Sequence, residues 1–206
     1  LSVMNSPHEI IRDEAKRGVK NMVVVGTDKL VGQVLDTLAK YPEMALGIIP
    51  VGEPTEMAAN FGIPKDLTGA CYILANRLIR RVSLGKINNS YFLYQAEISG
   101  RNIVVDCDGQ YKICPETAAT VKINNILAPT GEVLQTTVIP RSGGLLGNRN
   151  VGQSVFTSQR VTIEQPAKTK ILADDNKEVL TPAKIELTGI KLKVIVGKGM
   201  GKTEST

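Results

Sequence analysis

Val23-Val24-Val25-Gly26-Thr27-Asp28-Lys29 and Leu46-Gly47-Ile48-Ile49-Pro50-Val51-Gly52-Glu53-Pro54-Thr55-Glu56 are the stretches on which the fold turns. Each is a short apolar run that stops at a glycine-containing turn and passes into residues with helical spacing. A run with no polar alternation suits a strand buried on both faces of a parallel sheet. In an open parallel sheet such turns lie side by side at the carboxyl ends of the strands, where ligands bind. A functional site is therefore expected at these two turns.

The helical spacing extends outward on both sides. Ser6-Pro7-His8-Glu9 reads as a helix start, with Ser6 as N-cap, Pro7 at the first helical position and Glu9 closing a capping box. Ile10, Ile11, Ala15 and Val19 continue the stripe as far as Gly18. Residues 30–39 carry a second stripe (Leu30, Val31, Val34, Leu35, Leu38), and residues 56–61 and 67–78 read as two further helices. The order α-β-α-β-α-α is that of an α/β layer. Beyond residue 78 the period becomes two. Strands are predicted at 79–84, 91–98, 102–107, 120–126, 133–139, 159–164, 169–173 and 191–196, separated by Asn88-Asn89, Asp108-Gly109, Asp174-Asp175-Asn176 and similar turns. The predicted architecture is a small parallel α/β lobe over residues 1–78 followed by an antiparallel β-sandwich over 79–206. Residues 141–154, rich in Gly, Asn and Ser, read as a mobile loop, and the tail after Gly197 as disordered. Two parallel strands make a marginal core, so Leu1 to Asn5, a strand of the β module, an upstream segment or a second copy of the chain is expected to complete the sheet.

The chain has 206 residues, 42% of them hydrophobic and 22% charged, with a net charge of +5. Residues 1–78 hold 8 Lys/Arg against 9 Asp/Glu, which leaves 17 against 11 for residues 79–206, so the excess of positive charge lies in the β module. Lys168, Lys170, Lys191 and Lys193 read as a basic stripe suited to an anionic lipid or membrane surface. Without interleaved aromatic residues the stripe does not read as a nucleic-acid site. No apolar run approaches the ~20 residues of a membrane span. Cys71, Cys107 and Cys114 lack metal-ligand spacing and read as reduced thiols of a cytoplasmic protein, peripheral at the membrane at most. Cys107 and Cys114 flank Asp108-Gly109 and would face each other across a hairpin as small core residues. His8, the single histidine, is expected to be exposed in a first helical turn.

Residues 23–35 (VVVGTDKLVGQVL) resemble, without gaps, the strand–loop–helix consensus VVVGGDGTLNEVL of the diacylglycerol kinase and sphingosine kinase-like lipid kinases. Residues 46–64 (LGIIPVGEPTEMAANFGIP) are similar to that family's LGIIPLGTGNDFARSLGIP. Arg81 to Asn88 with Tyr91-Phe92-Leu93 resembles its crossing into the β domain, and Ala173-Asp174-Asp175-Asn176-Lys177-Glu178 resembles its Asp-Gly-Glu hairpin. The resemblance implies an NAD kinase/diacylglycerol kinase-like fold with nucleotide binding between the lobes. It further implies ATP and Mg²⁺ as cofactors and phosphoryl transfer to a lipid hydroxyl. Gly26, Thr27, Asp28, Lys29, Gly52, Thr55 and Glu56 then stand at the nucleotide loops, and Asp175 and Glu178 at the catalytic acids. No metal ligand is assigned.

The loops depart from that pattern. Thr27, Lys29 and Leu30 replace Gly, Gly and Thr. Glu53, Pro54, Thr55 and Glu56 replace Thr, Gly, Asn and Asp. Pro54 removes a backbone donor and fixes φ, and Glu53 brings negative charge toward a polyphosphate. The acidic metal-binding stretch is reduced to Pro129-Thr130-Gly131-Glu132, with one carboxylate. Activity is therefore expected to be weak or lost, the alternative being a non-catalytic binding or assembly module on the same fold. Asp28 is readable either as a phosphate or metal organiser or as a turn residue capping the next helix. Asp175 is readable either as a general base or as part of a hairpin turn. Gly197-Lys198-Gly199-Met200-Gly201-Lys202-Thr203 has one residue too few for a phosphate loop and no following helix.

Overall fold

The computed structural model describes residues 6–128, 131–141 and 152–198. Pro129 and Thr130, most of the Gly-rich stretch before Ser154 and the tail beyond Lys198 lie outside the described residues. Compact packing divides the chain into two units, Leu1–Leu84 with Gly189–Thr206, and Gly85–Thr188. The divisions therefore fall inside two strands rather than at the single boundary after Leu78.

The first unit opens with α1 (Pro7–Lys16), whose capping box forms as its sequence dictates: the Ser6 hydroxyl accepts from the Glu9 N–H and the Glu9 carboxylate accepts from the Ser6 N–H. There follow β1 (Asn21–Gly26), α2 (Asp28–Leu38), β2 (Ala45–Pro50), α3 (Glu56–Asn60) and α4 (Leu67–Asn76). β1 and β2 pair in parallel from Asn21↔Ala45 to Gly26↔Pro50. The end of β14 (Ala183–Ile195) pairs in parallel with the other side of β2, through Lys193↔Ala45 and Val194↔Leu46. A strand predicted for the β module thus extends the small sheet. Val31, Val34, Leu35 and Leu38 of α2 are all buried, as their spacing requires. His8 donates to or accepts from the Thr37 hydroxyl through Nδ1 at 2.8 Å and so ties α1 to α2.

β1 corrects one expectation. It is an edge strand in which only Val24 is buried, while Val23 and Val25 are 45% and 55% exposed. β2, paired on both sides, is the strand that is buried nearly throughout. Gly47 on β2 lets α4 approach: a Cβ there would stand 2.5 Å from Leu74 Cδ2. Gly197 is a packing residue too. Its N–H donates to the Phe61 carbonyl, and a Cβ would lie 2.0 Å from the Gly62 carbonyl oxygen.

The second unit is built of strands. β5 (Gln95–Gly100), β8 (Ala119–Ala128), β9 (Gly131–Pro140), β10 (Ser154–Ser158), β12 (Lys170–Ala173) and β13 (Lys177–Leu180) form an antiparallel sheet in the order β10-β9-β8-β5-β12-β13. β6 (Val104–Cys107), β7 (Tyr111–Ile113) and β11 (Arg160–Glu164) form an antiparallel set that joins the start of β14, while β3 (Ile79–Ile87) pairs with β4 (Ser90–Phe92). Alternate residues, among them Ile98, Val121, Ile123, Val105, Ile163 and Ile185, point into one buried cluster. β7, β10 and β13 are not among the strands the sequence predicts, and β7 is only three residues long. Cys107 is buried and pairs in register with Tyr111, whereas Cys114 is exposed, so the two cysteines do not face each other and only Cys107 is a core residue. Burial pushes the Cys107 thiol pKa up.

Candidate functional site

The first unit brings the two glycine turns together. Parallel pairing of β1 with β2 places their carboxyl ends side by side, and the Val51 N–H donates to the Gly26 carbonyl at 3.1 Å. Gly52 lies at φ 85°, a conformation open to glycine, and a Cβ on it would meet Thr27 Cγ2 at 3.1 Å. Thr27 is the N-cap of α2 but makes no side-chain capping bond.

Asp28 joins the two loops. It is 5% exposed; its N–H donates to the Pro54 carbonyl at 3.0 Å, and its Oδ2 accepts from the Met57 N–H at 2.9 Å. The carboxylate thus satisfies one of the N–H groups in the first turn of α3. Thr55 is buried at the N-cap of α3, makes no capping bond, and its Oγ1 has no hydrogen-bond partner among the described residues. Lys29 and Glu56 are exposed at the first turns of α2 and α3. Glu53, joined to Pro54 by a cis peptide, forms a 2.8 Å ion pair with Lys65, whose pKa is held up by that carboxylate. The carboxylate expected to repel a polyphosphate thus has a cation beside it.

Asp175 and Glu178 lie in the second unit, on the hairpin that joins β12 to β13. Asp175 is exposed at φ 52° in the turn. Glu178 pairs in register with Leu172 and forms a 2.7 Å ion pair with Lys170 on the exposed side. The buried acid of the hairpin is its neighbour Asp174, which the sequence did not single out as a site. Asp174 Oδ2 accepts from the Leu93 N–H at 2.6 Å, and Oδ1 accepts from the Tyr94 and Gln95 N–H groups at 2.9 and 3.0 Å. Burial raises its pKa to about 6 against those three bonds and the nearby Lys177 ammonium. Lys177 in turn donates to the Tyr91 carbonyl at 2.9 Å. The lysine stripe is divided as well: Lys170 is paired with Glu178, and Lys193 of the first unit with Glu43.

Part of the backbone that would meet the phosphates of a nucleotide is already engaged. The N–H groups of Val51, Asp28, Leu30, Val31 and Met57 all donate to acceptors within the chain, and Pro54 has none to offer. The Asp28 carboxylate is likewise engaged. For a divalent cation, the described residues contain no group of three or more His, Cys, Asp or Glu placed to hold one.

Three likenesses to known proteins bear on this geometry. Residues 4–87 match the family model of the diacylglycerol kinase catalytic domain. Diacylglycerol kinases of Staphylococcus haemolyticus and Staphylococcus epidermidis are 31% and 28% identical to this chain over 85 residues. The match covers 39% of this chain and about a quarter of either relative's length (26% and 27%). Among solved structures, a diacylglycerol kinase from Bacillus anthracis superposes with TM-score 0.72 at 19% identity, over 96% of this chain and 84% of that one. Yeast NADH kinase superposes with TM-score 0.51 at 11% identity, over 91% of this chain and 68% of that one, which is a likeness of fold. The two loops that Asp28 ties together fall within the matched residues, so over residues 4–87 the chain is similar to the diacylglycerol kinase catalytic domain.

Proposed function

We propose that this chain is a lipid kinase-like protein whose ancestral reaction is ATP-dependent phosphoryl transfer to a lipid hydroxyl, and that this activity is weak or lost. The observation that carries the reading is the pair of hydrogen bonds between Asp28 and the second loop, its N–H donating to the Pro54 carbonyl and its carboxylate accepting from the Met57 N–H. Phosphoryl transfer depends on backbone donors and metal ions arranged around the phosphates. Here the N–H groups of Asp28, Val51 and Met57 are already taken by acceptors of the protein itself. Mg²⁺ and ATP enter this reading through family likeness alone, and no catalytic step is assigned to Asp175 or Glu178. Calorimetry with Mg-ATP tests it: little or no heat of binding is expected, and a dissociation constant in the micromolar range overturns it.

A second reading, a binding or assembly module on the same fold, is favoured by one observation. Among the described residues β1 has one unpaired edge, beside two half-exposed valines, Val23 and Val25. Light scattering separates the readings, because an assembly module forms oligomers and a strictly monomeric chain does not.

A further inference from the structure

β1 carries none of the devices that keep an edge strand from pairing. Asn21-Met22-Val23-Val24-Val25-Gly26 has no charged residue and no proline, and its register with β2 runs without a bulge from Asn21 to Gly26. Among the described residues it pairs with β2 alone. Two bonds at its ends tell which backbone groups face the open side. The Lys20 carbonyl accepts from the Ala45 N–H at 2.8 Å, and the Gly26 carbonyl accepts from the Val51 N–H at 3.1 Å. In an extended strand the N–H and C=O of one residue point the same way, and successive residues alternate. Met22 and Val24 therefore bond toward β2, while Asn21, Val23 and Val25 direct both groups outward. Val23 and Val25 also share the sheet face that carries α4: a Cβ at Gly47 would lie 2.5 Å from Leu74 and 3.4 Å from Val23. They are 45% and 55% exposed, whereas Val24, on the other face, is 7% exposed.

This edge is complementary to itself. Antiparallel pairing with another copy across a two-fold axis at Val24 sets Val23 opposite Val25 of the second copy, and Val25 opposite its Val23. Both residues have outward backbone groups, so each pair is of the kind that exchanges two N–H···O bonds, giving four across the axis. The same axis gathers the four half-exposed valine side chains on one face, each β-branched residue directly opposite another. An axis one residue to either side does neither. At Val23 it sets Val25 opposite Asn21, and at Val25 it sets Val23 opposite Thr27, the N-cap of α2.

We propose that β1 is a homodimer interface, through which two copies of the chain join their parallel sheets edge to edge in antiparallel register about Val24. The proposal rests on the reading of the chain as an assembly module, and names that module's partner, strand and register.

The test is sedimentation equilibrium of the 206-residue chain over a dilution series, where a reversible monomer–dimer equilibrium is expected. Val25→Pro removes a donor that points away from β2, so it leaves the β1–β2 ladder whole and deletes two of the four intermolecular bonds. It is expected to raise the dimer dissociation constant at least about tenfold. Val23→Lys keeps every N–H, places an ammonium group at the joined edges and is expected to weaken the dimer at least as much. Unchanged circular dichroism spectra of the dilute chains confirm the fold of each variant. Register is read by cysteine pairing in a Cys71→Ser/Cys114→Ser background. An equimolar mixture of Val23→Cys and Val25→Cys chains is expected to oxidise to the heterodimer in preference to either homodimer, because directly opposed residues have Cα atoms about 5.5 Å apart. A strictly monomeric chain overturns both this proposal and the assembly reading. A dimer that both variants leave intact, or one with no preference for the heterodimer, overturns the β1 interface while the assembly reading stands.

Discussion

Asp174 offers the most demanding check on the second unit. Its carboxylate is fully enclosed and clasps the backbone of Leu93, Tyr94 and Gln95, the segment that separates β4 from β5. Two effects oppose each other there. Three N–H donors favour the charged form, while burial disfavours it, and burial wins: the pKa rises from 3.8 to about 6. A raised carboxylate pKa means that the folded chain holds the proton more tightly than the unfolded chain. The contribution of Asp174 to stability therefore falls as pH rises from about 4 to about 6 and is level on either side of that window. The shift corresponds to about 3 kcal/mol at 1.36 kcal/mol per pKa unit.

Comparison with Asp174→Asn isolates this one group from the other carboxylates. Asparagine keeps Oδ1 for Tyr94 and Gln95 but turns an amide nitrogen toward the Leu93 N–H. The unsatisfied donor costs about 1–3 kcal/mol, and removal of the buried charge offsets a similar amount. At neutral pH the two proteins are therefore expected to unfold at nearly the same urea concentration. Below pH 6 the wild-type protein gains stability from protonation and the variant gains none from this site, so the difference between their stabilities grows by up to about 3 kcal/mol. Urea titrations followed by circular dichroism at half-unit steps from pH 4 to 8 measure this difference. Parallel stability curves for the two proteins across the whole range would refute the reasoning.

Two further substitutions probe the closed loops. Asp28→Ala removes the acceptor of the Met57 N–H and is expected to lower stability by about 1–2 kcal/mol, read as a lower urea midpoint at constant slope. If the variant instead gains micromolar affinity for Mg-ATP, the Asp28 carboxylate was the element closing the cradle. Thr55→Val replaces a buried hydroxyl that has no partner with a methyl group of the same shape, so a gain of roughly 1 kcal/mol in the same titration is expected. A loss of stability would mean that Thr55 Oγ1 is satisfied by something the protein retains.

The order of the helices and of the two parallel strands was legible because each element has a clear period. Ser6-Pro7-His8-Glu9 announced α1 down to its capping box, and the stripe from Val31 to Leu38 announced the buried face of α2. The exposure of Val23 and Val25 was not legible, because an apolar run is the same whether a strand is central or at an edge. The break between β4 and β5 was hidden for a different reason. Its cause is Asp174, eighty residues away in sequence, and local spacing carries no trace of so distant a partner. The hairpin turn itself was plain from Asp174-Asp175-Asn176, and both aspartates do adopt positive φ. Which of them turns inward is decided by the pairing of Ala173 with Ala96 on β5, which only the assembled sheet supplies.

The loops show how one aspartate can change use without leaving its place. A carboxylate at the start of α2 meets the unsatisfied N–H groups at the start of α3 because parallel pairing has already set the carboxyl ends of β1 and β2 next to each other. Proline at position 54 then leaves a carbonyl with no N–H beside it, and that carbonyl takes the Asp28 N–H. Each bond lowers the need for an outside partner at the position where the other forms. Departures at three positions accompany this: a proline at 54 in the second loop, and side chains at 27 and 29 where the consensus that the first loop resembles has glycine. Closure is thus a local consequence of the sequence on the parallel register of β1 and β2.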